Sequence, residues 1–106
     1  SMDRADWQNG KQQVEEVEQA LVEAFNRGVQ PGSEEANALA ERHRASLFFF
    51  EVTPAKHAIL ARGYVEDARF KAHYEKLAPG LAEWLREVIF ENARAHGVDP
   101  EEATWG

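Results

Sequence analysis

The sequence contains no cysteine. That absence excludes disulfides, thiolate nucleophiles and thiolate metal sites together, and it fits a reducing cytoplasm. Long hydrophobic runs are missing too. Leu47 to Phe50 is a run of four residues, far short of the ~18 needed to span a bilayer, and no signal peptide or membrane segment is legible. Grouped positive charge is also lacking. Twelve Lys and Arg are scattered among nineteen Asp and Glu, for a formal net charge of −7, whereas a phosphate backbone demands clustered cations. Any contact with DNA is therefore expected from a separate domain. The seven glycines are dispersed, so no phosphate-cradling loop is present. Strand-like alternation, internal repeats and low-complexity segments are absent as well.

What remains is enough for one small domain. The chain has 106 residues, 43% of them hydrophobic and 10% aromatic, which suits one modest core. Ser1-Met2 reads as a tag remnant, which leaves a single domain over 3–106. Apolar residues recur at helical spacing nearly throughout. A first helix is expected from Ala5 to Arg27 on the stripe Val14, Val17, Leu21 and Phe25, interrupted by Gly10 and ended by Gly28 as a left-handed cap. Its Glu15, Glu16, Glu18 and Glu23 read as a solvated face. Ser33 caps a second helix, whose stripe Ala36, Leu39, Ala40, His43, Leu47 and Phe50 continues to the end of the aromatic run. Thr53-Pro54 opens a third, to about Tyr64, with His57, Leu60, Ala61 and Tyr64 aligned. Asp67 starts a short fourth, on which Phe70, Tyr74 and Leu77 align. Pro79-Gly80 opens a fifth that ends near His96-Gly97. It carries the strongest stripe, Leu81, Trp84, Leu85, Val88, Ile89 and Ala93, and is expected to be the central core helix. Short loops between five helices predict a compact all-α domain.

Chemistry finds few anchors. Ser33 and Ser46 lack a Ser-His-Asp neighbourhood. No pair of the four histidines has the i, i+4 spacing of metal ligands. No enzymatic activity, metal or cofactor is expected. His43 and His57 sit on apolar stripes and read as hydrogen-bonded core or pocket-wall histidines, while His96 suits the negative end of a helix. Asp67, Arg69 and Phe70 make a well-formed corner between two helices, and Tyr64 could face core or ligand.

Taken together, Arg42-His43-Arg44, the aromatics up to Phe50, His57, Leu60, Tyr64, Asp67, Arg69-Phe70, Tyr74 and Pro79-Gly80-Leu81-Ala82 resemble the TipAS antibiotic-recognition domain. The specific part is Tyr64-x-x-Asp67-x-Arg69-Phe70, ten residues before Gly80-Leu81-Ala82. The resemblance covers about residues 3–97 and is strongest from Glu35 onward. It implies a globin-like bundle that binds thiopeptides and other large, rigid, heteroaromatic antibiotics between its helices. Such domains usually form the C-terminal sensor of MerR-family transcription activators, in which ligand orders the N-terminal helices over itself. This implies a cytoplasmic protein that is homodimeric at full length, through an upstream coiled coil, with this fragment monomeric. Some relatives instead sequester a drug on their own. Thiopeptide-binding members can carry a cysteine between the second and third helices. Here Glu51-Val52-Thr53-Pro54 stands in that place, so capture is non-covalent. The expected site is an aromatic-lined cleft formed by the second to fifth helices, with contacts from His43, Phe50, His57, Tyr64, Phe70, Tyr74 and Trp84 and the first helix as a mobile lid. Two other classes stay open on such a fold: haem or gas binding with His57 or His73 as axial ligand, and a plain protein-interaction bundle.

Overall fold

The structure, a computed structural model, describes residues 4–47 and 51–105. Five α-helices follow one another: α1 (Arg4–Arg27), α2 (Glu34–Ser46), α3 (Pro54–Glu66), α4 (Ala68–Leu77) and α5 (Leu81–Ala95). No strand occurs among the described residues. The radius of gyration is 13.4 Å, close to the roughly 13 Å of a compact chain of this length.

Most helix starts lie where a side chain can take up an orphan backbone N–H. The Ser33 hydroxyl accepts from Ala36 N at 3.1 Å, the Thr53 hydroxyl from Lys56 N at 3.2 Å, and the Asp67 carboxylate from Arg69 N at 2.9 Å. The start of α5 is built differently. Gly80 has a φ of 90° and no side chain to offer, and a Cβ there would lie 3.3 Å from the Phe25 ring. Glu75, two residues before the end of α4, supplies the cap instead. Its two carboxylate oxygens accept from Gly80 N at 2.9 Å and Ala82 N at 3.0 Å, and these bonds hold its pKa below the usual carboxylate value. Replacing it by Ala strands both donors. A Glu75→Ala variant is expected to lose about 1 kcal/mol, roughly 4–8 °C in Tm, which thermal unfolding checks directly.

Two expectations about helix limits change. α1 passes through Gly10 without a break, and Gly10 is buried. α2 stops at Ser46 rather than continuing to Phe50. There the Ser46 hydroxyl donates to the His43 carbonyl at 2.6 Å, and Leu47 N–H turns back to Arg44 O at 3.3 Å. Arg44 also reaches ahead to Val52 O at 2.8 Å and so ties down the chain on its return. Leu47 therefore lies just past the helix, and Phe48, Phe49 and Phe50 fall outside the described residues.

α5 packs against each of the other four helices, as its stripe predicts. Leu81, Leu85, Val88 and Ile89 are wholly buried. Leu21 and Ala24 of α1, Leu39 of α2 and Ala58 and Ala61 of α3 close around Leu81, Leu85 and Ile89, while Ala36 and Ala40 of α2 meet Val88. Burying one such side chain is worth about 1.5–3 kcal/mol, so this layer carries most of the stability. Glu41 adds a polar tie between α2 and α5. It accepts from Arg44 at 3.1 Å and from Asn92 Nδ2 at 2.7 Å, with His96 Nε2 at 3.3 Å. Arg44 first, then Asn92, hold its carboxyl down at about 2. After α5, Asp99 nucleates a single turn, accepting from Glu101 N and Ala103 N at 3.0 Å each. The Arg62 guanidinium of α3 clasps that turn by donating to the carbonyls of Glu101 and Ala103. None of the described helices is long and apolar enough to cross a membrane.

Candidate functional site: a cleft backed by a buried histidine pair

α2, α3 and α4 each send one or two polar aromatic side chains inward, and these meet. His43 lies on the α2 face that carries Leu39 and Ala40, and His57 lies one turn into α3. His43 Nδ1 stands 2.9 Å from His57 Nε2, and the rings stack with centroids 5.1 Å apart. The other His43 nitrogen, Nε2, is 3.2 Å from the Tyr74 hydroxyl. Tyr64 meets His43 edge-on at 5.8 Å and packs on Tyr74 at 4.8 Å. His43, His57, Tyr64 and Tyr74 are all buried, each 5% exposed or less.

Burial decides the charge state here, because it penalises the ionised form. It lowers the His43 pKa to about 4, and it lowers that of His57 as well, helped by His43 and Arg44. It pushes the Tyr64 phenol up to about 12 and raises that of Tyr74, where Tyr64 and the Glu18 carboxylate add to the effect. At neutral pH all four groups are uncharged. A neutral imidazole holds a single N–H, and His43 uses both its nitrogens. The bonds must therefore run one way. Either His57 donates to His43 and His43 to Tyr74, or Tyr74 donates to His43 and His43 to His57.

The tyrosine end of this chain forms the wall of an open cleft of about 510 Å³, lined by Leu47, Tyr64, Arg69, Phe70, His73 and Tyr74. Phe70 sits at the rim, 48% exposed, with its ring 5.8 Å from that of Tyr64. Arg69 is held by Asp67 at 3.4 Å. The structure thus gathers His43, His57, Tyr64, Phe70 and Tyr74 of the expected set. Phe50 lies outside the described residues. Trp84 stands elsewhere: its indole N–H donates to Val29 O at 2.9 Å and its ring meets Phe25 edge-on at 5.6 Å. It pins the α1–α2 loop to α5.

Glu18 was expected on a solvated face, yet its side chain is only 13% exposed and its Oε2 lies 2.7 Å from His73 Nε2, joining α1 to α4. The sequence signal was its position four residues after Val14 and three before Leu21, which places it beside the apolar stripe. The haem reading meets a geometric obstacle. His57 Nε2 is engaged by His43 and His73 Nε2 by Glu18, so neither presents that nitrogen to an iron. Among the described residues, no three His, Asp or Glu side chains converge as a metal site would need.

Comparison with known proteins places the chain in a family. The family model of the TipAS antibiotic-recognition domain matches residues 1–92. The chain is similar to the HTH-type transcriptional activator TipA of Streptomyces coelicolor, with 31% identity over 98 residues, 91% of this chain and 39% of that protein. The same figures hold for TipA of Streptomyces lividans. Similarity to the HTH-type transcriptional regulator SkgA of Caulobacter vibrioides is 31% over 97 residues, 89% of this chain and 38% of that protein. The chain therefore spans about 39% of the length of the curated relatives it matches first. No solved structure matches it significantly.

Proposed function

Since the chain belongs to the TipAS antibiotic-recognition domain family, we propose that it is the effector-sensing domain of a MerR-type, cytoplasmic transcription activator and binds large heteroaromatic or hydrophobic compounds reversibly. The cleft beside Tyr64, Phe70 and Tyr74 carries this reading. Its volume falls within the range of small-molecule sites, about 300–1,000 Å³, and aromatic walls reward a flat ligand through stacking. The absence of cysteine makes capture non-covalent. Tyr64, Phe70 and Tyr74 touch the ligand, while His43 and His57 act from behind by fixing the Tyr74 hydroxyl. DNA is contacted by another domain, in keeping with the net charge of −7. α1 acts as the lid, and ligand shifts its docking only so far as it binds the closed state better.

A thermal-shift screen against thiopeptides and planar heteroaromatic drugs tests this reading. A true ligand at about 100 times its Kd adds about 2.7 kcal/mol of stability. Phe70→Ala, at an exposed position that leaves the core intact, is expected to weaken that ligand about three- to tenfold, the worth of one stacked ring. A panel without any stabilising compound, or a ligand indifferent to Phe70→Ala, would remove the cleft from consideration.

A further inference from the structure

The aromatic cleft shares a wall with a second cavity. His73 lines the cleft, and its Nε2 meets Glu18 Oε2 at 2.7 Å. Glu18 in turn lines a groove of about 530 Å³ that runs along α1 to the end of α4. Val22 and Leu77 supply apolar surface in that groove, with Glu15 and Glu23 beside them. One side-chain pair thus stands between two open cavities of similar size. The two halves of the pair are unequally held, with the Glu18 side chain 13% exposed and that of His73 53% exposed. Histidine is the half that can swing out into solvent.

Glu18, with its side chain 13% exposed, is a carboxylate largely out of water. Such a group rewards a permanent cation that can take its hydrogen-bond position. Its field reaches the tyrosines of the cleft, where it raises the phenol pKa values. The positive charge on the cleft side, Arg69, is taken up by Asp67.

We infer that the two cavities are the halves of one trough and that its ligand is an elongated amphiphile, with a flat aromatic end in the Tyr64–Phe70–Tyr74 cleft and a cationic amine that replaces His73 on Glu18. This rests on the cleft being the ligand site and goes further by fixing the charge and shape of what enters. A ligand confined to the cleft would leave the Glu18–His73 pair closed. One long enough to part it gains the apolar surface of Val22 and Leu77 as well, and the joined volume reaches the upper end of drug-sized sites, about 1,000 Å³.

Three dansyl probes test it with a constant aromatic head. Dansylcadaverine carries a five-carbon tail ending in an ammonium, dansyl-6-aminohexanoate a like tail ending in a carboxylate, and dansylamide has no tail. Fluorescence titration at pH 7.5 is expected to give dansylcadaverine about tenfold tighter binding than dansylamide, which corresponds to about 1.4 kcal/mol, with the carboxylate probe weakest. In Glu18→Gln, which keeps an acceptor for His73, the cadaverine-to-amide ratio is expected to fall to about one. In Glu87→Gln, an exposed carboxylate of α5 that lines neither cavity, it stays well above one. Equal binding of all three probes, or a ratio that survives Glu18→Gln, overturns the inference while leaving the cleft as a site. Binding of none of the three overturns the cleft reading and this inference with it.

Discussion

Acidified from pH 7.5 to 4.5, the domain is expected to lose about 3 kcal/mol of unfolding free energy, roughly 10–20 °C in Tm. The source is the buried histidine pair. The folded state holds His43 down at about 4, against about 6.5 for an imidazole in the unfolded chain. Between those values the unfolded chain binds a proton that the folded chain refuses, so acid favours unfolding. The contribution is complete above about 6.5 and fades as pH falls toward about 4. His57 acts in the same direction, because burial lowers its pKa too, and a first proton on either ring repels a second. Below about 4.5 a different group joins in. Glu41, held at about 2 by Arg44 and Asn92, stabilises the fold above its unfolded pKa and is lost as pH falls through the folded one. Being partly exposed, it contributes the smaller share. A series of thermal melts from pH 7.5 to 4.5 decides the matter. A flat Tm across that range would mean that the pair is not held neutral, and replacing both histidines by Gln is expected to flatten the profile above pH 4.5.

Truncation at Tyr74 is expected to cost at least as much at neutral pH as acid does, and two variants divide the cost. Tyr74→Ala removes a ring that is 5% exposed and packs on Tyr64, His43 and His73. Losing a buried ring of this size costs about 3–5 kcal/mol. Tyr74→Phe keeps the ring and removes only the hydroxyl, which leaves His43 Nε2 buried without that partner. An unpaired buried polar atom costs about 1–3 kcal/mol. Urea unfolding of the two variants separates the contributions, since an unchanged m-value with a lower midpoint reports stability alone. If Tyr74→Phe matched wild type, the hydroxyl would not be tied to the histidine pair.

How much of this the chain announced depends on the kind of signal. Four helix starts lie close to where Ser33, Thr53, Asp67 and Gly80 punctuate the sequence, because caps and breakers act over three or four residues. The end of α2 was hidden. Ser46 is an ordinary residue in a helix, and Leu47 with the phenylalanines continues the helical hydrophobic rhythm, whereas in the structure Leu47 already lies past the last helical residue and its N–H turns back to Arg44 O. Periodicity placed His43 and His57 on inward faces but could not pair them, since their 2.9 Å contact depends on how α2 and α3 cross. Trp84 shows the same limit: an aromatic residue on a buried stripe needs an apolar neighbour, and the sequence cannot say that the neighbour is Phe25 rather than a ligand. Glu18 was lost because a carboxylate beside the stripe looks solvated until α4 is laid against it. The Tyr64 to Ala82 signature carried the family assignment, which local pattern alone did not.

Trp84 has one more consequence. Its indole is anchored at both ends, by the Val29 carbonyl and by the edge of Phe25, at the seam where the end of α1 and the following loop lie against α5. Trp7 and Trp105 are about half exposed, at 50% and 48%. Trp84 is partly buried there, so the chain contains an intrinsic emitter less open to water than the other two tryptophans while that seam is shut, whose light reports on the docking of α1 without a label and without a ligand touching it.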